Sequence, residues 1–373
     1  MVTALGHGQK QNFDAMQSGK GLLRTCTLEG FDEPIQVPYL AVTDLAGEEG
    51  SATNHLEEIL VAAVNEALSG VDLGDDDRKT LPLFIGSSSY GIGVGEQQYQ
   101  QALAQEGEAV PLLLDGFTQV ASCLRRRFGL LGPDYAYNTA CTSSANALLD
   151  ATASIVAGHH PYALVIGLET CNLTTLAGFY GMQLLAADAM RPFDKHRQGL
   201  ILGEGCGVLL LQAAGPETSG IFISGGVSRC DTYSISASNP DGSEIARVID
   251  DALNVSGVHA SDIKAIKAHG TGSPLNDNGE AAGMRRVFAS VPPFFSMKGY
   301  VGHTLGACGA IETALMATWL SARELPASAG FEHRDESLGV VPITKVQSAD
   351  AGSYMLNFFG FGGNNCSLII QSH

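Results

Sequence analysis

The chain has 373 residues, 45% of them hydrophobic, with 45 glycines and a formal net charge of −18. That length needs no disulfide or metal staples, and it accommodates either two ordinary domains or one large layered body. The acidic balance excludes a general binder of nucleic acid or anionic membrane unless basic residues gather locally, and the candidates for such a patch are Arg125, Arg126 and Arg127 and the cluster Arg191, Lys195, His196 and Arg197.

The N-terminus, MVTALGHGQKQ, lacks a basic start followed by an apolar run, so no secretory signal is read there. LPLFIGSSS (81–89) predicts a strand running into a loop, and GFTQVASCLRRRFG (116–129) a helix. Residues 141–157 have helical length, and their small side chains predict burial on all sides. YALVIGLET (162–170) and GCGVLLLQAA (205–214) predict buried strands, far shorter than a membrane span. The second half repeats the style. A strand is predicted at 220–229, an amphipathic helix at 242–257, a strand at 263–270, an Ala/Gly-rich helix at 301–322 and a strand ending in glycines at 353–363. GACGAIETAL (306–315) echoes TACTSSANAL (139–148), which points to a duplicated α/β unit. Alternating strands and helices favour a mixed or parallel sheet covered on both faces. The eight cysteines show no CxxC pairing and fit a reduced, cytoplasmic setting.

Cys141 lies where a helix should start, between small and hydroxylated neighbours. There the helix dipole and free N–H groups favour a thiolate, and a sharp strand–turn–helix exposes a side chain as a nucleophile elbow does. The alternative is a core cysteine in a tight helix. His269 and His303 each sit at a junction between regular elements, where α/β enzymes gather catalytic groups, although a single histidine can equally be structural. Lys298 adds a charge just before His303. No histidines pair at helical spacing, so no metal site is read, and GFGGNN (360–365) precedes no helix that would cradle a phosphate.

At this point the residues resemble a known family, the β-ketoacyl-[acyl carrier protein] synthases of the condensing-enzyme, thiolase-fold superfamily. Five blocks in order carry the resemblance: TACTSSANAL, RPFDKHRQGLILGEG (191–205), AHGTGSPLNDNGE (268–280), SMKGYVGHTLGACGAIE (296–312) and NFFGFGGNN (357–365). The resemblance implies a thiolase-like α/β fold of two duplicated halves, 1–215 with the nucleophile and 216–373 with both histidines. They would form five layers, α-β-α-β-α, with mixed sheets and one catalytic body. It implies that an acyl chain moves from carrier protein to Cys141 and condenses with malonyl-carrier protein, with loss of CO₂. His269 and His303 would stabilise the enolate oxygen, and the N–H groups of Cys141 and Phe361 the acyl-transfer oxyanion. Lys298 and Glu280 would frame the histidines, Thr271 and Ser273 would bind the phosphopantetheine arm, and Phe361 would gate the acyl chain beside a second mobile loop, 231–244. Arg191, Lys195 and Arg197 would dock the acidic carrier protein. No free cofactor and no metal are implied. A homodimer or a heterodimer with a ketosynthase-like chain is implied, with YALVIGLET near the seam.

Three departures stand out. The family usually begins with a full strand before VTALG, and this chain starts inside that motif. It is also shorter than a typical elongation synthase, so entrance loops are expected to be reduced. Many relatives place Asn two residues before the first histidine and Ser just before the Asn of the last block. With the glutamate matching Glu312, these hold a structural monovalent cation. Here those positions are Lys267 and Leu356, and the Lys267 ammonium is expected to replace the ion and pair with Glu312. Among rivals, a degradative thiolase would want a second catalytic cysteine in a C-terminal glycine loop, but Cys366 falls in a predicted strand. An initiation-type synthase would have Asn where His303 stands, and an inactive chain-length factor would lack Cys141.

Overall fold

The computed structural model describes residues 1–19, 23–28, 33–43, 51–106, 116–215 and 218–373. Two mixed sheets carry the molecule. The first holds β1 (Val2–Thr3), β2 (Gly6–His7), β3 (Leu83–Gly86), β4 (Asp134–Tyr137), β5 (Tyr162–Glu169) and β6 (Gly205–Gln212), in the order β2-β1-β6-β5-β3-β4. The second holds β7 (Ile221–Cys230), β8 (Ile263–Lys267), β9 (Phe294–Phe295), β10 (Gly352–Phe359) and β11 (Asn364–Ser372), in the order β7-β11-β10-β8-β9. Apart from β2, the sheets repeat one another. In each, three strands run parallel (β4, β3, β5 and β9, β8, β10), followed by two antiparallel steps.

The helices repeat as well. On the first sheet α1 (Ala52–Ser69) and α2 (Gly116–Phe128) cover the outer face, and α3 (Ser143–Val156) the inner. On the second, α4 (Ser243–Ser256) and α5 (Pro274–Val287) lie outside and α6 (Cys308–Ser321) inside. The outer helices are amphipathic. In α1 the buried side chains Leu56, Ile59, Leu60, Ala63 and Val64 fall at helical spacing, and Ser51 caps the first turn through its Oγ. The inner pair, α3 and α6, is sandwiched between the sheets, so α6 is buried on nearly every side. Small residues let the two helices meet. A Cβ on Gly309 of α6 would stand 2.2 Å from the Ala145 backbone nitrogen of α3. The five layers are therefore α-β-α-β-α.

Four expectations need correcting. The helix expected over 301–322 begins only at Cys308. Gly302 turns the chain at φ +75°, and the segment before it forms a separate short helix, Lys298–Val301. The last glycine-ended strand stops at Phe359, because Phe361–Gly363 forms a tight turn with Gly362 at φ +75°. The echo between GACGAIETAL and TACTSSANAL is two residues out of register. The duplicated turns are Ala140–Thr142 and Leu305–Ala307, so Gly306, not Cys308, corresponds to Cys141. YALVIGLET is an interior strand between β3 and β6, and the edge of that sheet is β4. The chain's first residues do join a sheet, since Val2 and Thr3 pair with Cys206 and Gly205. Among the described residues no helix is long and apolar enough to cross a membrane, and all eight cysteines are free.

Candidate active site

The residues singled out in the sequence converge at the C-terminal ends of the parallel strands, where open α/β sheets place their sites. Cys141 follows β4 in the turn Ala140–Thr142 that leads into α3. Ala140 is held at φ +53°, an uncommon conformation for a residue with a side chain, and the Ser143 hydroxyl braces the turn by accepting from Thr139 N–H and donating to the Ala140 carbonyl. Cys141 is 5% exposed. Burial pushes its pKa up to about 11, against the pull of the Phe361 N–H, the Lys298 ammonium and its own N–H. The helix start does not leave a free thiolate, because desolvation outweighs the N-terminal field.

His269 follows β8, and its backbone N–H and that of Gly270 donate to the two oxygens of Glu280, at 2.7 and 2.8 Å. Glu280 and Asp277 are fully buried on α5, and burial raises them to about 7 and about 6 respectively. Asp277 accepts from Thr271 N–H, so the two carboxylates fix the whole turn that carries His269. His303 lies between the short helix and α6, and its Nδ1 accepts from the Leu305 N–H at 3.2 Å. Its proton therefore sits on Nε2, as a hydrogen-bond donor. The two imidazoles meet edge to face, centroids 5.3 Å apart. Both are held neutral, their pKa values well below 6.5, first by burial and then by the Lys298 charge. His269 Nδ1 is buried with no hydrogen-bond partner among the described residues.

Behind the imidazoles lies a dry charge cluster. Glu312 of α6 binds Lys298 Nζ at 2.5 Å and Lys267 Nζ at 2.6 Å, and none of the three is exposed. Burial works against the Lys298 charge, but Glu312 more than offsets it and the pKa rises.

The cavity over the thiol measures about 40 Å³, and its lining includes Cys141, His269, His303, Thr271, Ser273 and Phe361. Phe361 stacks on Phe179, centroids 5.5 Å apart and planes 14° from parallel, which closes one side. The loop 231–242 lies against the Phe361 turn, Gly362 N–H donating to the Ile235 carbonyl and Asp231 N–H to the Gly363 carbonyl. The arrangement offers a thiol, two backbone N–H donors beside it, and two neutral imidazole rings facing the same space.

Residues 43–215 match the family model "Beta-ketoacyl synthase, N-terminal domain", and residues 221–332 match "Beta-ketoacyl synthase, C-terminal domain". The chain is 30% identical over 338 residues to the 3-oxoacyl-[acyl-carrier-protein] synthase 2 of Vibrio cholerae, a match spanning 83% of this chain and 81% of that one. The chain belongs to the β-ketoacyl synthase family. Among solved structures, the ketosynthase ApeO in complex with its chain length factor ApeC, from Xenorhabdus doucetiae, superposes with a TM-score of 0.81 at 26% identity, covering 100% of this chain and 96% of that one. The ishigamide ketosynthase/chain length factor shares the fold, with a TM-score of 0.87 at 24% identity and coverage of 100% and 97%.

One β-ketoacyl synthase expectation fails on geometry. Arg197 cannot dock a partner, because its side chain is buried and bound to Asp335, Asn278 and the Asp194 carbonyl. It is a structural tie between segments. Arg191 is partly exposed and makes a two-pronged pair with Asp188, while Lys195 is exposed. The other basic run is neutralised as well, Arg125 by Asp134 and both Arg126 and Arg127 by Glu57. Two contributors were not singled out in the sequence. Phe179 closes the cavity. Glu169, buried at the end of β5, accepts from the Ser88, Ser89 and Gly306 N–H groups and so ties the turn before α6 to the loop after β3. Its signal was a carboxylate ending an otherwise apolar strand.

Proposed function

We propose that this chain is a carrier-protein-dependent condensing enzyme whose nucleophile is Cys141. In the first half-reaction Sγ attacks the thioester carbonyl of an acyl-carrier protein. The carrier's pantetheine sulfur leaves and takes the thiol proton, and the acyl group stays on Cys141. The N–H groups of Phe361 and Cys141 stand beside Sγ and would hold the oxyanion of that step. In the second, malonyl-carrier protein loses CO₂, and the resulting enolate carbon attacks the acyl-cysteine carbonyl. The Cys141 sulfur leaves as thiolate and takes a proton from solvent water. The product is a β-ketoacyl thioester two carbons longer, as in fatty-acid or polyketide synthesis.

The observation that carries this reading is the pair of buried, neutral imidazoles facing the thiol cavity. A neutral imidazole N–H donates a hydrogen bond to a developing enolate oxygen without transferring its proton, and a donor of this kind typically contributes ~2.7–4 kcal/mol. Thr271 and Ser273 in the lining would receive the phosphopantetheine arm, and movement of Phe361 would admit the acyl chain. Lys298, Glu280 and Glu312 support the histidines. The chemistry needs no cofactor beyond the carrier's own arm. Residues 1–215 contribute the nucleophile and 216–373 both histidines to one catalytic body. Lys195, with Arg191 beside it, would meet the acidic carrier protein in the cytoplasm. A second copy or a ketosynthase-like partner chain would add to the β4 edge. Intact-protein mass after incubation with a panel of acyl-carrier proteins tests the reading. Wild type gains a thioester adduct and Cys141→Ala does not. An equal adduct on Cys141→Ala, or none on wild type with any donor, alone or with a partner chain, overturns it.

A further inference from the structure

The family resemblance implies a structural monovalent cation beside Glu312, and the residues present do not fit one. Lys267 is wholly buried at the end of β8, and its Nζ lies 2.6 Å from Glu312 Oε2 and 2.6 Å from the Asn357 carbonyl oxygen. The same ammonium stands 3.5 Å over the centre of the Phe358 ring. The other Glu312 oxygen is taken by Lys298 at 2.5 Å. One carboxylate thus already serves two cations, and a third would face two ammonium charges across a dry interior. The two positions that would supply neutral side-chain oxygens are Lys267 and Leu356, and neither side chain carries one.

We propose that Lys267 is a built-in cation, whose tethered ammonium clamps three walls of the site and frees the protein from dependence on a bound monovalent ion. The first wall is β8, which leads directly into His269. The second is α6, whose Glu312 also holds Lys298 near the thiol and imidazoles. The third is β10, where the Asn357 carbonyl is bound just upstream of the Phe361 turn. Lys267 does not line the cavity, so it is a positioning residue that acts through Glu312 and these backbones. The distinction from a bound ion is thermodynamic. A ligand stabilises the fold in proportion to the logarithm of its concentration above its dissociation constant, whereas a tethered group is always present.

The first measurement needs no variant. Thermal unfolding of the full chain is followed in about 0.1 M KCl, NaCl or choline chloride, at matched ionic strength. The expected result is one melting temperature in all three salts. A melting temperature about 2 °C or more higher in potassium or sodium than in choline overturns the proposal. So does a rubidium anomalous peak at Glu312 in crystals soaked with rubidium chloride. Lys267→Asn removes the ammonium and supplies a carbonyl oxygen. This variant is expected to melt lower than wild type in choline and to recover by about 2 °C or more in potassium. A folded Lys267→Asn that melts lower but ignores potassium reduces Lys267 to a packing residue and overturns the proposal. If that variant does not fold, the wild-type measurements still decide. None of these readouts involves acyl transfer, so their failure is separate from failure of the proposed condensation.

Discussion

The thiol of Cys141 shows how two local effects compete and which one wins. Its place in the turn before α3 favours the thiolate, and so do the Phe361 N–H and the Lys298 charge, yet burial holds the pKa at about 11. A proton is therefore present on Sγ at neutral pH in the closed cavity, and the thiolate fraction grows about tenfold per pH unit up to that value. Alkylation of Cys141 by iodoacetamide, followed by mass of the peptide that carries it, is expected to keep accelerating above pH 9. A plateau near pH 8.5, the range of an unperturbed thiol, would show that desolvation does not dominate. The imidazoles make the complementary case, since burial and the Lys298 charge keep both in the neutral form.

The central pair of helices sets how closely the two halves approach. Their contact depends on missing side chains rather than on large ones. A Cβ on Gly309 would meet the Ala145 nitrogen at 2.2 Å, and one on Gly86 of β3 would meet the Ser144 nitrogen at 2.3 Å. Both partners are backbone atoms, which cannot rotate away. Gly309→Val is expected to lower stability by at least about 1–3 kcal/mol through overpacking, read as a reduced urea midpoint with an unchanged slope. The same change is expected to impair acyl loading, because α3 and α6 begin at the turns that carry Cys141 and follow His303. A variant with the wild-type midpoint would mean that the helices separate at little cost.

At the scale of the whole molecule, the first sheet ends at an edge strand, β4. Among the described residues no strand pairs with the outer side of β4. Large apolar side chains are exposed just before β4, on it and at the end of α3: Leu131, Tyr135 and Val156 are 59%, 44% and 82% exposed. An unprotected edge with exposed apolar side chains is a template for sheet extension by another chain. Multi-angle light scattering is expected to find a dimer, of this chain or with a ketosynthase-like partner. Tyr135→Lys, which puts a charge on that edge, is expected to shift the dimer toward monomer. A dimer that survives the change undiminished would place the interface elsewhere.

What was legible in the sequence follows from short-range rules. Apolar periodicity located the helices at 116–128 and 243–256 and the strands at 162–169 and 205–212 within a few residues. The glycine-flanked polar blocks picked out Cys141, His269 and His303, which the fold brings to one cavity. Periodicity reports that a face is buried but not against what. It therefore could not give the strand order that places YALVIGLET inside the sheet and β4 at its edge, nor the two-residue offset between the duplicated turns. Charge was equally ambiguous. Arg197 reads as a surface cation until Asp335 and Asn278 arrive from other segments to bury it. The Lys267–Glu312–Lys298 cluster joins positions far apart in the chain, and only the tertiary structure shows that both ammonium groups share one buried carboxylate. Sequence by itself determined which chemical groups this protein has to work with. Burial and long-range contact, which exist only in the folded chain, decided their protonation and their partners.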